Sequence, residues 1–314
     1  MKSVPLAAMV LALLIPNVEA DSIKPTIFGP FFMNQITVTA SPTGYKYVMP
    51  NGNYHFQVGW IEPLSENTKG IFGETYFETN GNFNVSPFTS DVGTTFNLKP
   101  FRYLEIGLSY NRLIFHNSMV TFSRPGSTSL PKELITPENI LSESKEPGGA
   151  DNFTYQANLT FDIGPTQTYL FASRSLWDIN AKGKDFVFEY GDDLPIRTRD
   201  RVNYLMAQFS VDLKPGSLFK SMSFMGIDVR NQYWITAQSK LELTPSDTKN
   251  AVEKNLLSVG ITGFRFGSNP ERQRRGLDLF VGYWTKHYQI PEREIANSIQ
   301  LTADWKWNIH FLKM

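Results

Sequence analysis

Strict alternation of apolar and polar residues is the feature that most constrains the fold of this chain. From Asn152 to Ile163 every second residue is apolar and the residues between them are polar, and 299–311 repeats the pattern. Side chains that alternate with this period lie on opposite faces of a β-strand, whereas an amphipathic helix repeats every 3.6 residues. Segments this long exceed the roughly five or six residues of an average strand and match a tilted strand that crosses a membrane.

The alternation predicts an all-β fold: a closed, antiparallel, transmembrane β-barrel of about twelve strands. Strands in such a barrel direct apolar residues toward lipid and polar residues toward the interior. A soluble periplasmic β protein, whose strands also alternate, is the competing fold. The candidate strands are 30–40, 52–61, 70–79, 90–98, 102–114, 152–163, 168–178, 201–213, 218–235, 254–265, 276–287 and 298–311.

Short and long connections alternate along this set of strands. Proline and glycine mark short turns at 99–101, 164–166 and 214–217, because neither residue suits the middle of a strand ladder. The long connections are 115–151, 179–200 and 236–253. Outer-membrane barrels have short periplasmic turns and long extracellular loops. We therefore expect both chain termini to lie in the periplasm.

The N-terminus has the pattern of a secretory signal peptide. Lys2 supplies a positive charge, residues 4–15 are apolar apart from Pro5, and Val18-Glu19-Ala20 resembles a cleavage site. This pattern predicts a signal peptide over residues 1–20 and a single barrel domain over 21–314. No later apolar run reaches the ~20 residues that a membrane-spanning helix needs, which excludes a helical inner-membrane protein. Because the strands alternate over membrane-spanning lengths, we expect the mature chain in the outer membrane.

The composition excludes several classes of protein. The chain contains no cysteine, so it has neither disulfides nor thiolate ligands, and its formal net charge of +0 gives no basic surface for nucleic acid. Aromatic residues make up 14% of the chain, and tyrosine and tryptophan are typical of membrane–water interfaces. Neither a close-spaced histidine metal motif nor a phosphate-binding glycine loop occurs, so we expect neither a metal nor a cofactor.

These alternating strands resemble the outer-membrane β-barrels of Gram-negative bacteria as a class. The last strand carries Trp305, Trp307, Ile309 and Phe311 on one face and resembles the C-terminal strand that the barrel-assembly machinery reads, although the chain ends on Met314. The resemblance implies outer-membrane lipid and the barrel-assembly machinery as partners.

Charged residues on the polar sides of the strands are candidates for lining the interior. Charges of both signs could pair to fill a narrow barrel, or they could line a polar pore and set its selectivity. The leading functional hypothesis is a passive, porin-like channel for small hydrophilic solutes, and a non-conducting structural barrel is another. The lumen-lining candidates are Glu105, Asp162, Arg174, Asp228, Arg230, Asp278, Lys286, Asp304 and Lys306.

One short motif favours an enzyme instead. His116 and Ser118 would share the apolar side of their strand if the strand continues through them. This His-x-Ser pair resembles that of the outer-membrane phospholipases, in which a histidine activates a serine nucleophile beside the lipid. The Asn-Gly that follows the serine in that family is replaced here by Met119-Val120. The resemblance implies a lipid hydrolase as the alternative function.

Overall fold

The structure of this protein is a computed structural model of the chain. The structure describes residues 29–40, 51–65, 70–73, 75–123, 146–163, 166–181, 183–189, 194–213, 223–224, 227–228, 233–243, 253–266, 273–286 and 299–310. The predicted signal peptide and its cleavage site lie outside these residues. No helix within these ranges has the length and apolar character needed to cross a membrane.

Sixteen β-strands account for most of the described chain. They are β1 (Gly29–Ala40), β2 (Asn51–Pro63), β3 (Tyr76–Val85), β4 (Thr89–Phe101), β5 (Leu104–Phe122), β6 (Glu146–Ile163), β7 (Thr166–Asn180), β8 (Phe186–Glu189), β9 (Leu194–Arg197), β10 (Arg199–Leu213), β11 (Ser223–Phe224), β12 (Ile227–Asp228), β13 (Tyr233–Leu243), β14 (Glu253–Phe266), β15 (Gln273–Lys286) and β16 (Ile299–His310).

Fourteen of these strands form one antiparallel sheet. Its order is β4-β3-β2-β1-β16-β15-β14-β13-β10-β7-β6-β5-β8-β9, and β4 also pairs with β5. Thr95 lies opposite Ser109 and Asn97 opposite Gly107 in this additional pairing. The first and last long strands of the chain also meet, since Thr37 of β1 lies opposite Asp304 of β16. The all-β, antiparallel prediction is therefore confirmed, with fourteen strands in the sheet where about twelve were expected.

Several of the predicted boundaries are wrong. The candidate strand 70–79 is displaced, because β3 begins at Tyr76 and runs to Val85. The candidate strand 218–235 is replaced by the two-residue strands β11 and β12, which form a separate small sheet, followed by β13. Most of β13 therefore lies in the predicted connection 236–253, and β10 is joined to its partner β13 by residues 214–232 and not by the predicted short turn 214–217. The connection 115–151 is also shorter than predicted, since β5 continues to Phe122 and β6 begins at Glu146.

The connection 179–200 contains a β-hairpin that was not predicted. Its strands β8 and β9 pair with each other, and β8 pairs with β5 through Met119–Phe122. Backbone hydrogen bonds join it to the long strands, from Ile179 N to Thr198 O (2.7 Å) and from Asp185 N to Phe122 O (3.1 Å). The hairpin is thus attached to both β5 and β7.

An apolar cluster holds this hairpin in place. Phe186, Val187 and Phe188 of β8 are almost fully buried. They belong to one cluster with apolar residues at the ends of the long strands. Burial of this kind contributes roughly 1.5–3 kcal/mol for each large apolar side chain. The other members are Phe115, Met119, Val120, Phe122, Ala150, Trp177, Ile179, Ala181, Ile196 and Val202.

Candidate functional site

The long strands divide the sheet into an apolar face and a polar face. Residues directly opposite each other in an antiparallel ladder point to the same side, so the register assigns every strand residue to one face. On the apolar face, most of the long strands carry large apolar side chains that are exposed. They include Ile36, Val38, Val58, Phe83, Val92, Phe96, Ile106, Leu108, Phe153, Leu170, Leu205, Phe209, Leu257, Val259, Leu279, Val281 and Leu301.

Three asparagines of β3 start the hydrogen-bond network on the polar face. Asn80, Asn82 and Asn84 alternate with the residues of the apolar face. The amide of Asn84 donates to Asp91 of β4 (2.7 Å), and that of Asn82 donates to Thr95 (3.3 Å). His55 of β2 is hydrogen-bonded to Asn84 from the other side. A continuous polar band therefore crosses β2, β3 and β4.

Glu105 joins this band to the next strands. The hydroxyl of Tyr76 donates to one carboxylate oxygen of Glu105, and the amide of Asn158 on β6 donates to the other (3.1 Å). Hydrogen bonds to both oxygens stabilise a carboxylate away from bulk water. The ammonium of Lys99 lies over the ring of Tyr76, 5.4 Å from its centre, and contributes a cation near this group.

A second carboxylate site lies where the last strand meets the first. The amide of Gln35 donates to both carboxylate oxygens of Asp304 (2.8 and 3.0 Å), and the hydroxyl of Thr37 donates to one of them (3.0 Å). Asp278 of β15 lies directly opposite Asp304 on the other side of β16. The polar face therefore presents two neighbouring carboxyl groups here.

Glycines on the polar face leave room for the side chains of neighbouring strands. A Cβ atom built on Gly107 would lie 2.3 Å from Asn97 Oδ1 and 2.9 Å from Gln156 Nε2. A Cβ atom on Gly93 would lie 1.9 Å from Asn111 Oδ1. Heavy atoms cannot approach this closely, so the missing side chains allow these amides to lie across the glycine backbone along the sheet.

Charged groups interrupt the apolar face on β5, β6, β7 and β10. Arg112 forms an ion pair with Asp151, and the hydroxyl of Tyr110 also donates to Asp151 (2.6 Å). Arg199 lies 3.4 Å from Asp178, and both side chains are exposed. Exposed ion pairs of this kind contribute little stability.

Comparisons with known proteins find similar structures but no matching sequence. No family model and no curated protein matches the chain. An outer membrane channel from Pseudomonas putida F1 aligns at 8% identity and a TM-score of 0.47, over 94% of this chain and 100% of the other. The β domain of the Bordetella autotransporter BrkA aligns at 8% identity and 0.47, over 91% and 100%.

A third similar structure is the translocator domain of the autotransporter NalP from Neisseria meningitidis. It aligns at 10% identity and a TM-score of 0.41, over 97% of this chain and 96% of the other. These three structures are all outer-membrane β-barrels, the class that the sequence resembles. At such low identities and TM-scores, what this chain does must be inferred from its own residues.

The lumen-lining candidates fall into three groups. Glu105, Asp278 and Asp304 lie on the polar face. The backbone register also assigns Asp162 and Lys306 to that face, and their side chains lie outside the described residues. The side chain of Lys286, at the end of β15 next to a register shift, also lies outside the described residues. Asp228 belongs to the small sheet of β11 and β12 instead, and Arg230 lies outside the described residues.

The prediction that Arg174 lies with the lumen residues is wrong. Arg174 stands opposite Asn203 of β10 and donates to it from Nε (2.7 Å), and it shares its face with the exposed Leu170 and Leu176. Alternation does not identify the polar face of this strand, because β7 carries large apolar side chains on both faces. Tyr169 and Phe171 stack at 6.4 Å between ring centres, and Phe171, on the polar face, also contacts Tyr204 edge-on.

The predicted pairing of His116 with Ser118 depends on unbroken alternation, which the structure does not have. The ladder between β5 and β6 shifts register between Phe115 and Met119, so it does not assign Ser118 to either face of the sheet. His116 Nε2 is hydrogen-bonded to Ser90 Oγ of β4 (2.7 Å). The side chain of Ser118 lies outside the described residues.

The polar-face asparagines of β3 lie outside the predicted strands. The run Asn80, Asn82, Asn84 is a clear period-2 signal, but it begins after the end of the candidate strand 70–79. The glycines that let amides lie along the sheet carry no signal of their own in a single sequence. The hairpin strands β8 and β9 span only four residues each, which is too short for alternation to be read.

Proposed function

We propose that this chain is a closed, twelve-stranded β-barrel of the bacterial outer membrane. The β4–β5 pairing supports closure, because it joins the two ends of the run of long strands and leaves β8 and β9 as an attached hairpin. A closed sheet satisfies every backbone hydrogen bond within the membrane. The observation that carries the proposal is the exposure of large apolar side chains on the face opposite a hydrogen-bonded polar network.

The proposed arrangement in the cell follows from the same two faces. The apolar face contacts lipid and the polar face encloses the lumen. The signal peptide over residues 1–20 directs export and is removed after Ala20, and the barrel-assembly machinery inserts the mature chain. The termini and the turns 102–103 and 164–165 lie in the periplasm together with the longer connection 214–232, and the connections 123–145 and 181–198, the latter with the hairpin β8–β9, lie outside.

We further propose that the barrel is a passive channel for small hydrophilic solutes. Polar side chains along β2, β3, β4, β5 and β6 offer hydrogen-bond donors and acceptors along a diffusion path, and this mechanism uses no cofactor. The glycines support an open path over a filled one. Because Asn97, Asn111 and Gln156 lie across them along the sheet, these amides extend less into the lumen.

The variant Gly107→Val tests this account of the lumen. The new side chain must displace Asn97 and Gln156 toward the channel axis, and such overpacking costs about 1–3 kcal/mol. We expect proteoliposomes containing the variant to swell more slowly in a pentose solution than wild-type proteoliposomes.

Gly81→Val is the matched control. Gly81 lies on the apolar face in β3, and a Cβ atom added there would make only ordinary van der Waals contact, with Gly93 O at 3.9 Å. Its swelling rate should equal that of the wild type. An equal rate for Gly107→Val and wild type, with both proteins folded, would contradict the proposal that these amides border the diffusion path.

A lipid hydrolase is the second candidate function, and the His116–Ser90 hydrogen bond favours testing it. Its 2.7 Å length is within the range of a nucleophile–base pair, and Ser90 lies on the apolar face. A catalytic histidine also needs a third group to orient it. Among the side chains that the structure describes, none is hydrogen-bonded to the other ring nitrogen of His116.

We therefore expect no release of fatty acid from phospholipid above background by the detergent-solubilised protein. Ser118→Ala and Ser90→Ala identify the nucleophile if activity is found. Hydrolysis that is lost in one of these variants and kept in the other would show that the chain is an enzyme. It would overturn the channel as the main function.

A further inference from the structure

A cavity of about 320 Å³ lies at the end of the strands where the hairpin β8–β9 joins β7 and β10. Its lining comes from the end of β7, the end of β9 and the start of β10. This volume is at the small end of the range for ligand-binding pockets. The lining residues are Trp177, Asp178, Arg197, Arg199, Asp200 and Arg201.

Two residues that line this cavity carry buried hydrogen-bond donors without a partner. Arg197 Nε and Nη2 are both buried without an acceptor, and so is the indole Nε1 of Trp177, within the part of the chain that the structure describes. Trp177 is 9% exposed. Buried N–H groups are nearly always hydrogen-bonded, so three unpaired donors around one cavity indicate a site for an acceptor.

The two free donors of Arg197 belong to the same edge of its guanidinium group. Nε–H and Nη2–H project side by side from that edge. Two oxygens of one carboxylate or phosphate group match this spacing and form a bidentate, charge-assisted pair. A neutral acceptor with a single oxygen would satisfy only one of these donors.

The acids in the lining are already engaged and do not neutralise Arg197. Asp200 accepts hydrogen bonds from the backbone N–H of Arg197 (3.1 Å) and of Arg201 (2.8 Å) through different oxygens. Asp178 lies 3.4 Å from Arg199 at the exposed rim. The three arginines exceed the two aspartates, so the cavity retains positive charge for an anion.

We propose that this cavity binds a small oxyanion, a carboxylate or phosphate group, through Arg197 and Trp177. The hairpin builds the site, because it places Arg197 of β9 beside Trp177 of β7, and the apolar cluster around Phe186 fixes that placement. Binding at this position does not depend on conduction through the lumen, so it can be measured on a barrel that conducts nothing.

The indole resonance of Trp177 in the refolded, ¹⁵N-labelled protein reports on the site. The chain has 6 tryptophans, and comparison with Trp177→Phe assigns this resonance. We expect it to shift in a saturable way on addition of sodium acetate or sodium phosphate, but not with sodium chloride at equal ionic strength. Acetate alone would identify a carboxylate site, and phosphate alone a phosphate site.

Arg197→Gln should weaken binding about tenfold or more, because it removes the charged, bidentate partner. Arg197→Lys keeps the charge without the planar edge and should bind with intermediate affinity. Arg199→Gln is the matched control, since it removes one positive charge from the exposed rim of the same cavity. The other five indole resonances report whether each variant remains folded.

Three results would overturn the proposal. The first is the absence of a saturable Trp177 shift with either anion. The second is equal affinity in wild type and Arg197→Gln. The third is an equal loss of affinity in Arg197→Gln and Arg199→Gln, which would show that overall charge, and not the guanidinium edge, attracts the anion.

Discussion

Leu301→Arg is expected to remove most of the folded protein from the outer membrane. Leu301 lies on the apolar face of β16, opposite Val281 of β15, and both side chains are exposed. In the proposed barrel this position faces lipid, where an arginine costs up to about 4 kcal/mol, depending on its depth in the bilayer. The measurement is the amount of protein in the outer-membrane fraction whose gel migration changes on heating, which is typical of folded barrels.

Thr302→Arg is the control for this variant. Thr302 is the next residue of β16 and lies on the polar face, opposite Phe280 and Thr39. A cation there enters the lumen and should leave the folded fraction close to that of the wild type. Equal tolerance of the two substitutions, or recovery of wild-type protein in the soluble periplasmic fraction, would contradict the assignment of the two faces.

Phe186→Ala is expected to release the hairpin β8–β9 without unfolding the barrel. Phe186 is 1% exposed within the apolar cluster, and removing a buried phenylalanine side chain costs about 3–5 kcal/mol. Apart from this cluster, the four residue pairs between β8 and β5 and the two backbone hydrogen bonds to Phe122 and Ile179 join the hairpin to the long strands. Amide hydrogen exchange in β8 and β9 should therefore become at least about a hundredfold faster.

Phe153→Ala makes the same substitution outside the cluster. Phe153 is exposed on the apolar face of β6, so its loss should leave exchange in β8 and β9 unchanged. Exchange in β16 should be unaffected in both variants. Faster exchange throughout the sheet in Phe186→Ala would show that the hairpin and the long strands unfold as one unit.

The sequence predicts the strands whose two faces differ most. The candidates 152–163, 201–213 and 298–311 lie almost entirely within β6, β10 and β16, because one side of each strand is apolar and the other polar. A one-residue slip would reverse both faces, so the pattern fixes the register as well as the strand. The same reasoning places Glu105 and Asp304 on the polar face.

Other elements were missed for identifiable physical reasons. β13 carries polar residues at every second position from Thr236 to Glu242, and a segment this polar predicts a loop. In β7, aromatic side chains occupy the polar face, so parity placed Arg174 on the wrong side. The register shift between Phe115 and Met119 interrupts the ladder on which the argument for Ser118 depends. Contacts of this kind depend on neighbouring strands and cannot be read from one segment.

Planar-bilayer recording of the refolded mature protein tests the central claim most directly. The account predicts discrete, reproducible conductance steps in simple salt solution, because a closed barrel with a hydrated polar lumen gives ions a continuous path across the membrane. Bilayers that contain protein shown to be folded by its heat-dependent migration, and that nevertheless show no conductance steps, would contradict the channel and favour a non-conducting structural barrel.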